Sequence, residues 1–267
     1  MPRSPIIART IPALHRALDR LRARKATIAL VTGVGDDTIT LFTIKDRHLT
    51  RGGQVELEAK AEPRDVLIEG CTFDTGDDCI AIKSGRNDDG RRVGVASENI
   101  VVRQCLMKDG HGGLVMGSEI SGGCRNVFLE DCTMDSPNLE RVIRFKSNAR
   151  RGGLLENFFM RNVTVGQVAE AIVTVDFIYE EGANGPHQPI LRNVQLEHIT
   201  AKSTPRVFYI ASFAGATVDG IRFAHCSFAG LEAAELVEHA GRIELDDVML
   251  EPKVRPASLS SRPKGSL

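Results

Sequence analysis

The chain has 267 residues, 42% of them hydrophobic, with 34 Lys and Arg against 35 Asp and Glu and no Trp. That is enough apolar material for one sizeable core, and it excludes a disordered chain. The near-neutral balance offers no basic surface for general nucleic-acid binding, and no apolar run approaches the roughly 20 residues that span a bilayer.

Charge is unevenly placed along the chain. Residues 1–60 hold 11 Lys and Arg and 6 Asp and Glu, a net of +5, which leaves −6 on residues 61–267. Residues 11–25 predict a basic amphipathic helix with Leu14, Leu18 and Leu21 on one face and Arg16, Arg20, Arg22, Arg24 and Lys25 elsewhere. A solvated capping helix is the expected use, not attachment to membrane or nucleic acid. The uncharged stretch from Ala26 to Gly35 is too short and too far from Met1 for an ordinary signal sequence, and localisation is left open. Residues 26–60 contain possible strands but no recurring pattern, so 1–63 reads as a separate N-terminal segment.

From Asp65 a repeat begins. Asp-Val-Leu-Ile-Glu-Gly-Cys-Thr-Phe is followed by related nonapeptides starting at Asn99, Asn126, Asn157, Asn193, Gly220 and Arg242. The intervals between these starts are too variable for a rigid helical repeat but natural for coils whose loops change in length. Positions 1, 3, 6 and 8 after each start are almost all apolar, while 4 and 5 are mostly charged or polar, which is strand periodicity with a turn between two strands. Such units bury a continuous apolar column only when stacked. The predicted fold is therefore all-β, a right-handed parallel β-helix of about seven recognisable coils over residues 64–252, with an unstructured tail over 253–267. Asn at four of the starts suits a turn ahead of each strand. Cys71, Cys105, Cys132 and Cys226 all fall at position 6, where other coils carry Val163, Ile199 and Val248, so they are expected as buried ladder residues, not metal ligands.

Between the strands lie residues that packing does not require. Asp77-Asp78 precedes the apolar run Cys79 to Ile82, and adjacent carboxylates on a rigid strand suit acid/base chemistry. Gly110-His111-Gly112-Gly113 gives an imidazole whose surroundings allow close approach. Arg144-Phe145-Lys146 sends two cations to one side of a strand and Phe145 to the other, suiting an acidic ligand. Tyr179 could stack on a sugar face or donate a hydrogen bond. Singly, these have plain structural readings as a surface turn, a glycine loop, a charged edge and a loop aromatic. Asp78 to His111, His111 to Arg144 and Lys146 to Tyr179 are equal intervals in the sequence, each close to one coil, which predicts one shared groove.

The order Gly-Asp-Asp-Cys, Gly-His-Gly and Arg-x-Lys on a β-helix repeat resembles glycoside hydrolase family 28, the polygalacturonases and related pectin hydrolases. Asp77 to Gly85 and Gly110 to Glu119 are most similar to its bacterial exo-acting branch, and the resemblance covers residues 64–252. It implies hydrolysis of α-1,4 links between galacturonic acid units with inversion, without metal or other cofactor, on a pectic polysaccharide or oligogalacturonide. It further implies Asp77 as general acid, Asp78 in water activation, His111 in support of the acid, Arg144 and Lys146 on a galacturonate carboxylate, and Tyr179 on the adjoining sugar. No nucleic-acid or membrane partner is implied, and a monomer is expected. The family's Asn-Thr-Asp-Gly segment, source of a third carboxylate, is absent; its place holds Leu49 to Glu58, where spacing favours neither Glu56 nor Glu58. The abrupt start of similarity near Arg64 is the expected mark of a truncated, frame-altered or degenerate member. The competing readings are a non-catalytic remnant or carbohydrate-binding β-helix and a calcium-dependent lyase.

Overall fold

The structure is a computed structural model that describes residues 64–253 and, ahead of them, three short strands. These are β1 (Thr43–Lys45), β2 (His48–Leu49) and β3 (Val55–Leu57). The first full coil holds β4 (Arg64–Glu69), β5 (Thr72–Phe73) and β6 (Ile80–Ile82), followed by the one described helix, α1 (Asn87–Val93). Three strands per coil recur as β7 (Ser97–Arg103), β8 (Leu106–Met107) and β9 (Leu114–Met116), then β10 (Cys124–Glu130), β11 (Thr133–Met134) and β12 (Arg141–Lys146). Next come β13 (Leu154–Arg161), β14 (Thr164–Gln167) and β15 (Ala171–Asp176), and β16 (Ile190–Glu197), β17 (Thr200–Ser203) and β18 (Arg206–Ala211). In the last turns β19 (Thr217–Leu231) runs through both early strand positions, followed by β20 (Leu236–Val237) and β21 (Ile243–Pro252).

Each strand pairs in parallel with its counterpart one coil away. This is the parallel β-helix that the repeat predicts. One sheet of 14 strands wraps two walls, and a separate sheet, in the order β20-β18-β15-β12-β9-β6-β3, forms the third. β1, β2 and β3 pair with β4, β5 and β6, so a further row precedes the first recognised coil and covers its edge. The predicted helix over 11–25 and the tail beyond Lys253 lie outside the described residues. No described helix is long and apolar enough to cross a membrane.

The repeat's polar positions shape the corners. Asp65, Asn99, Asn126, Asn157 and Asn193 all have φ between 57° and 64°, and Gln104, Asp131, Asn162, His198 and His225, five residues after five of the starts, lie at 53° to 55°. Short polar side chains tolerate this left-handed region better than most. The asparagines sit within their strands, not ahead of them, and bond to one another instead of to nearby backbone. Asn99 Nδ2 donates to Asp65 Oδ1, Asn126 to Asn99, Asn157 to Asn126 and Asn193 to Asn157, at 2.7 to 3.1 Å. After each corner, position 6 turns inward, and all six cysteines are buried thiols, none of them in a disulfide. Burial pushes the Cys79 thiol up to about 12, so it is an inert packing group. Phe145 is wholly buried and meets Phe158 edge-on, centroids 4.8 Å apart, which fixes β12 against the column.

Candidate active site

The third wall carries the chemistry, because alternation along its strands buries one set of side chains and turns the other outward. In β6, Ile80 and Ile82 are buried in the column, and Ala81 between them lines a cleft of about 510 Å³. Asp77, Asp78, His111, Arg144, Lys146 and Tyr179 all line the same cleft. The six predicted residues are thus brought together on one wall.

Two carboxylates side by side in sequence have opposite surroundings. Asp78 is buried, and its Oδ2 accepts a hydrogen bond from Lys146 Nζ at 2.8 Å. The side chains are 5% and 11% exposed, and Asp78 Oδ1 has no partner. Asp77 is open at the mouth of the cleft, its Oδ1 accepting from the Asp78 backbone N–H at 2.7 Å and lying 3.2 Å from His111 Nδ1. Partial burial acts to raise its pKa, but the Asp78 N–H and the charges of His111 and Lys146 outweigh this and hold it below the ordinary Asp value. In the open cleft Asp77 is therefore a carboxylate at neutral pH.

Backbone packing sets the imidazole. His111 N–H donates to the Asp77 carbonyl at 3.1 Å, and Cys79 N–H to the Gly112 carbonyl at 2.8 Å, so the glycine loop is stitched to the Asp pair. At Gly110 only glycine fits, since a Cβ would lie 2.6 Å from the Asp77 carbonyl oxygen. Asp77, Asp78 and His111 each offer an atom within 4.8 Å of the others, and they are the one such group among the described residues. One carboxylate of the trio is committed to Lys146, which leaves a poor cage for a hard divalent cation needing 6–8 oxygens.

Arg144 Nη2 donates to Asp176 Oδ2 at 2.7 Å, and Tyr179 covers both cations, 5.8 Å from the Arg144 guanidinium carbon and 5.6 Å from Lys146 Nζ. Burial first, then the Glu180 charge, push the Tyr179 phenol above its ordinary value, so it is a neutral hydroxyl.

Equal sequence intervals do not describe the true register. Ile80 pairs with Leu114 and Leu114 with Ile143, so the second of these coils is shorter than the first. Arg144 stands level with Val115 and Ala81, further along the wall than His111. The cations reach the site because their side chains are long, as Lys146 shows by meeting Asp78. Tyr179 likewise lies beyond Asp176, the partner of Lys146 in the ladder.

The sequence reading missed Lys83, Ser118, Glu119, Glu140, Arg141 and Glu180, which also line the cleft. Lys83 pairs with Glu119 at 3.1 Å, and Arg141 bridges Glu140 and Glu170. Alternation from Ala81 would have placed Lys83 on the cleft face. A second depression of about 690 Å³ shares His111 and Glu140 and continues past Asp74, Asp109 and Asn138, so the surface is an extended groove.

A family model described as glycosyl hydrolases family 28 matches residues 57–235. A hyperthermoactive exopolygalacturonase from Thermotoga maritima is 31% identical, with a TM-score of 0.69 over 79% of this chain and 50% of that one. A probable polygalacturonase from Vitis vinifera is 34% identical over 99 residues, 37% of this chain and 20% of that protein. A different likeness joins these: pantothenate synthetase of Rhodopseudomonas palustris strain HaA2 is 66% identical over 54 residues, 19% of each chain. Residues 1–56 have room for a stretch of that length, and residues 236–267 do not. The chain spans half the length of the Thermotoga protein and a fifth of the Vitis one.

Proposed function

We propose, from the premise that this chain belongs to glycosyl hydrolases family 28, that it hydrolyses α-1,4-galacturonosidic links in pectic chains or oligogalacturonides with inversion. The observation that carries this reading is the pairing of an open carboxylate, Asp77, with a buried, Lys146-bound one, Asp78, beside His111 in a single cleft. Asp77 protonates the leaving oxygen. Asp77 takes its proton from solvent, either under acid conditions or once the entry of a sugar carboxylate, which sheds water and brings a second negative charge close, has raised its pKa. Asp78 acts on the attacking water indirectly, its Oδ2 held by Lys146 and its Oδ1 closed to solvent in the open cleft. His111 steadies Asp77, while Arg144 and Lys146 receive the galacturonate carboxylate under the Tyr179 ring.

The close approach of Asp77 and Asp78 limits what the pair does alone. An inverting acid and base stand roughly 6.5–9.5 Å apart with water between them, and this trio is tighter. Asp78, buried and bound to Lys146, is thus not a lone base, and the turnover of this chain depends on a further carboxylate. For the same reason a second reading has support in the missing Asn-Thr-Asp-Gly segment: a carbohydrate-binding β-helix that keeps the cations but turns nothing over.

Purified protein incubated with a defined oligogalacturonide, with and without chelator, separates the readings. Shortened products independent of chelator, with the inverted anomer by proton NMR, are expected. Binding without products would establish the second reading, a retained anomer would refute inversion, and loss on chelation would point to a lyase. We also propose that the segment ahead of residue 57 is foreign to the family, apart from the strands that extend its sheets. The coding DNA before residue 64 tests this, because family sequence in another frame would mark a frame alteration instead.

A further inference from the structure

Behind the Tyr179 side of the cleft lies a guanidinium that no step above employs. Arg151 heads the fully buried side chains by volume, with no exposed surface. A buried cation is costly unless its charge is met. Its Nη2 donates to Glu180 Oε2 at 2.6 Å, and its Nη1 donates to Asn87 Oδ1 at 3.0 Å and lies 3.5 Å from Glu181 Oε2. The turn at 147–152 that carries it follows directly from β12, the strand of Arg144 and Lys146.

That turn is also fastened to the Tyr179 loop by its other groups. Asn148 Oδ1 accepts from the backbone N–H of Arg150 and of Arg151, each at 2.9 Å. Asn148 Nδ2 donates to the Tyr179 carbonyl at 2.9 Å and to Glu181 Oε2 at 2.7 Å. Ala149 N–H donates to the Gly182 carbonyl at 2.8 Å. From the far side, Arg91 of α1 donates to the carbonyls of Arg150 and Arg151 at 2.9 and 3.0 Å. Glu180 itself has φ of 52°, a conformation that L side chains rarely adopt and that must be held by its contacts.

Glu180 lines the same cleft as the two cations and is 43% exposed at its side chain. Paired with Arg151, its charge is cancelled from behind. Unpaired, it would set a negative charge on the wall that receives a sugar acid.

We infer that Arg151 is a positioning residue, which from within the turn holds Tyr179 over Arg144 and Lys146, neutralises Glu180, and so sets the affinity of this wall for a uronate carboxylate. The inference rests on the galacturonide reading above for its ligand, but not for the placement of Tyr179.

The chain has two tyrosines and no tryptophan, so Tyr209→Phe leaves Tyr179 as its only emitter at tyrosine wavelengths. In that full-length background, Arg151→Met, Glu180→Gln and the double variant are compared for binding of trigalacturonate and of its methyl ester, and for acrylamide quenching of Tyr179. Arg151→Met is expected to weaken trigalacturonate about tenfold, spare the uncharged ester by comparison, and raise quenching; adding Glu180→Gln restores most of the affinity. A loss shared equally by acid and ester, no rescue, or unchanged quenching would overturn the inference. If Arg151→Met does not fold, Glu180→Gln alone decides: it should tighten trigalacturonate, and unchanged affinity would count against the electrostatic role. A parent that binds neither ligand would sink the galacturonide reading, while quenching still reports whether Arg151 places Tyr179.

Discussion

Replacing Lys146 by Met keeps most of the side-chain volume and removes the charge that meets Asp78. The lost contact is 2.8 Å long between side chains 11% and 5% exposed, and the second Asp78 oxygen already lacks a partner. The variant therefore leaves a carboxylate in the wall with no protein donor on either side-chain oxygen. Removing one side of a buried pair costs about 3–5 kcal/mol. For the roughly 190 residues of the described coils, an unfolding entropy of about 2.1 cal/mol/K per residue gives about 0.4 kcal/mol/K, so Tm should fall by about 8–12 °C. Lys146→Met combined with Asp78→Asn removes both charges and should recover most of the loss, because exchanging a whole buried pair for neutral groups is often nearly neutral. Circular-dichroism melts of the parent, both single variants and the double variant measure the coupling. If Lys146→Met melts within about 2 °C of the parent, or if the two losses simply add, Asp78 does not depend on Lys146 and the proposed division between open and buried carboxylate fails.

Three other outcomes are expected. Asp77→Asn should lower turnover by about 10²–10⁴-fold and leave oligogalacturonide affinity within a few-fold, read by reducing-sugar release and calorimetry; a parallel loss of affinity would make Asp77 a binding group. Because His111, Lys146 and the Asp78 N–H hold Asp77 below its ordinary value in the open cleft, kcat/KM should fall about tenfold per pH unit above about pH 4, and a flat profile to pH 7 would refute the acid role. Asn126→Ala removes two rungs of the asparagine ladder and puts Ala at φ 58°, so it should cost about 2–3 kcal/mol in a denaturant titration, with Asn126→Gly milder.

What the sequence made legible follows from which interactions leave a local trace. Two strands of each coil were visible because the inward positions 1, 3, 6 and 8 recur around a left-handed corner, Gln104 or Asp131 being examples, whose polar side chain interrupts the apolar alternation. The third strand left a fainter trace, since β6 and β9 are three residues long and the loops before them vary. For that reason the residue types of the site were readable while its register was not. The equal intervals recurred by coincidence, and real coils of unequal length put Arg144 beside Val115 instead of His111. Among charged residues met by partners a coil away, alternation from Ala81 marks Lys83 as a cleft group but says nothing of its partner, and nothing local marks Arg151. Lys83 with Glu119 and Arg151 with Glu180 look in sequence like solvated surface, and only the stacking closes those pairs. The asparagine ladder was misread for the same reason, since its bonds join neighbouring coils instead of closing local turns.

That same stacking bears on the missing carboxylate. β3 pairs with β6 so that Glu56 stands opposite Ala81, which stands opposite Val115, which stands opposite Arg144. Glu56 thus holds the register position one row beyond Ala81, a residue that lines the cleft, while Glu58 lies outside the described residues. Since Asp77 and Asp78 are too close to flank a water as an inverting pair, a base from the neighbouring row meets a need that the trio leaves open. Glu56→Gln should then lower kcat by about 10²–10⁴-fold with KM little changed. Full activity in Glu56→Gln would show that the backbone register does not carry the base and that water activation rests on Asp78 alone.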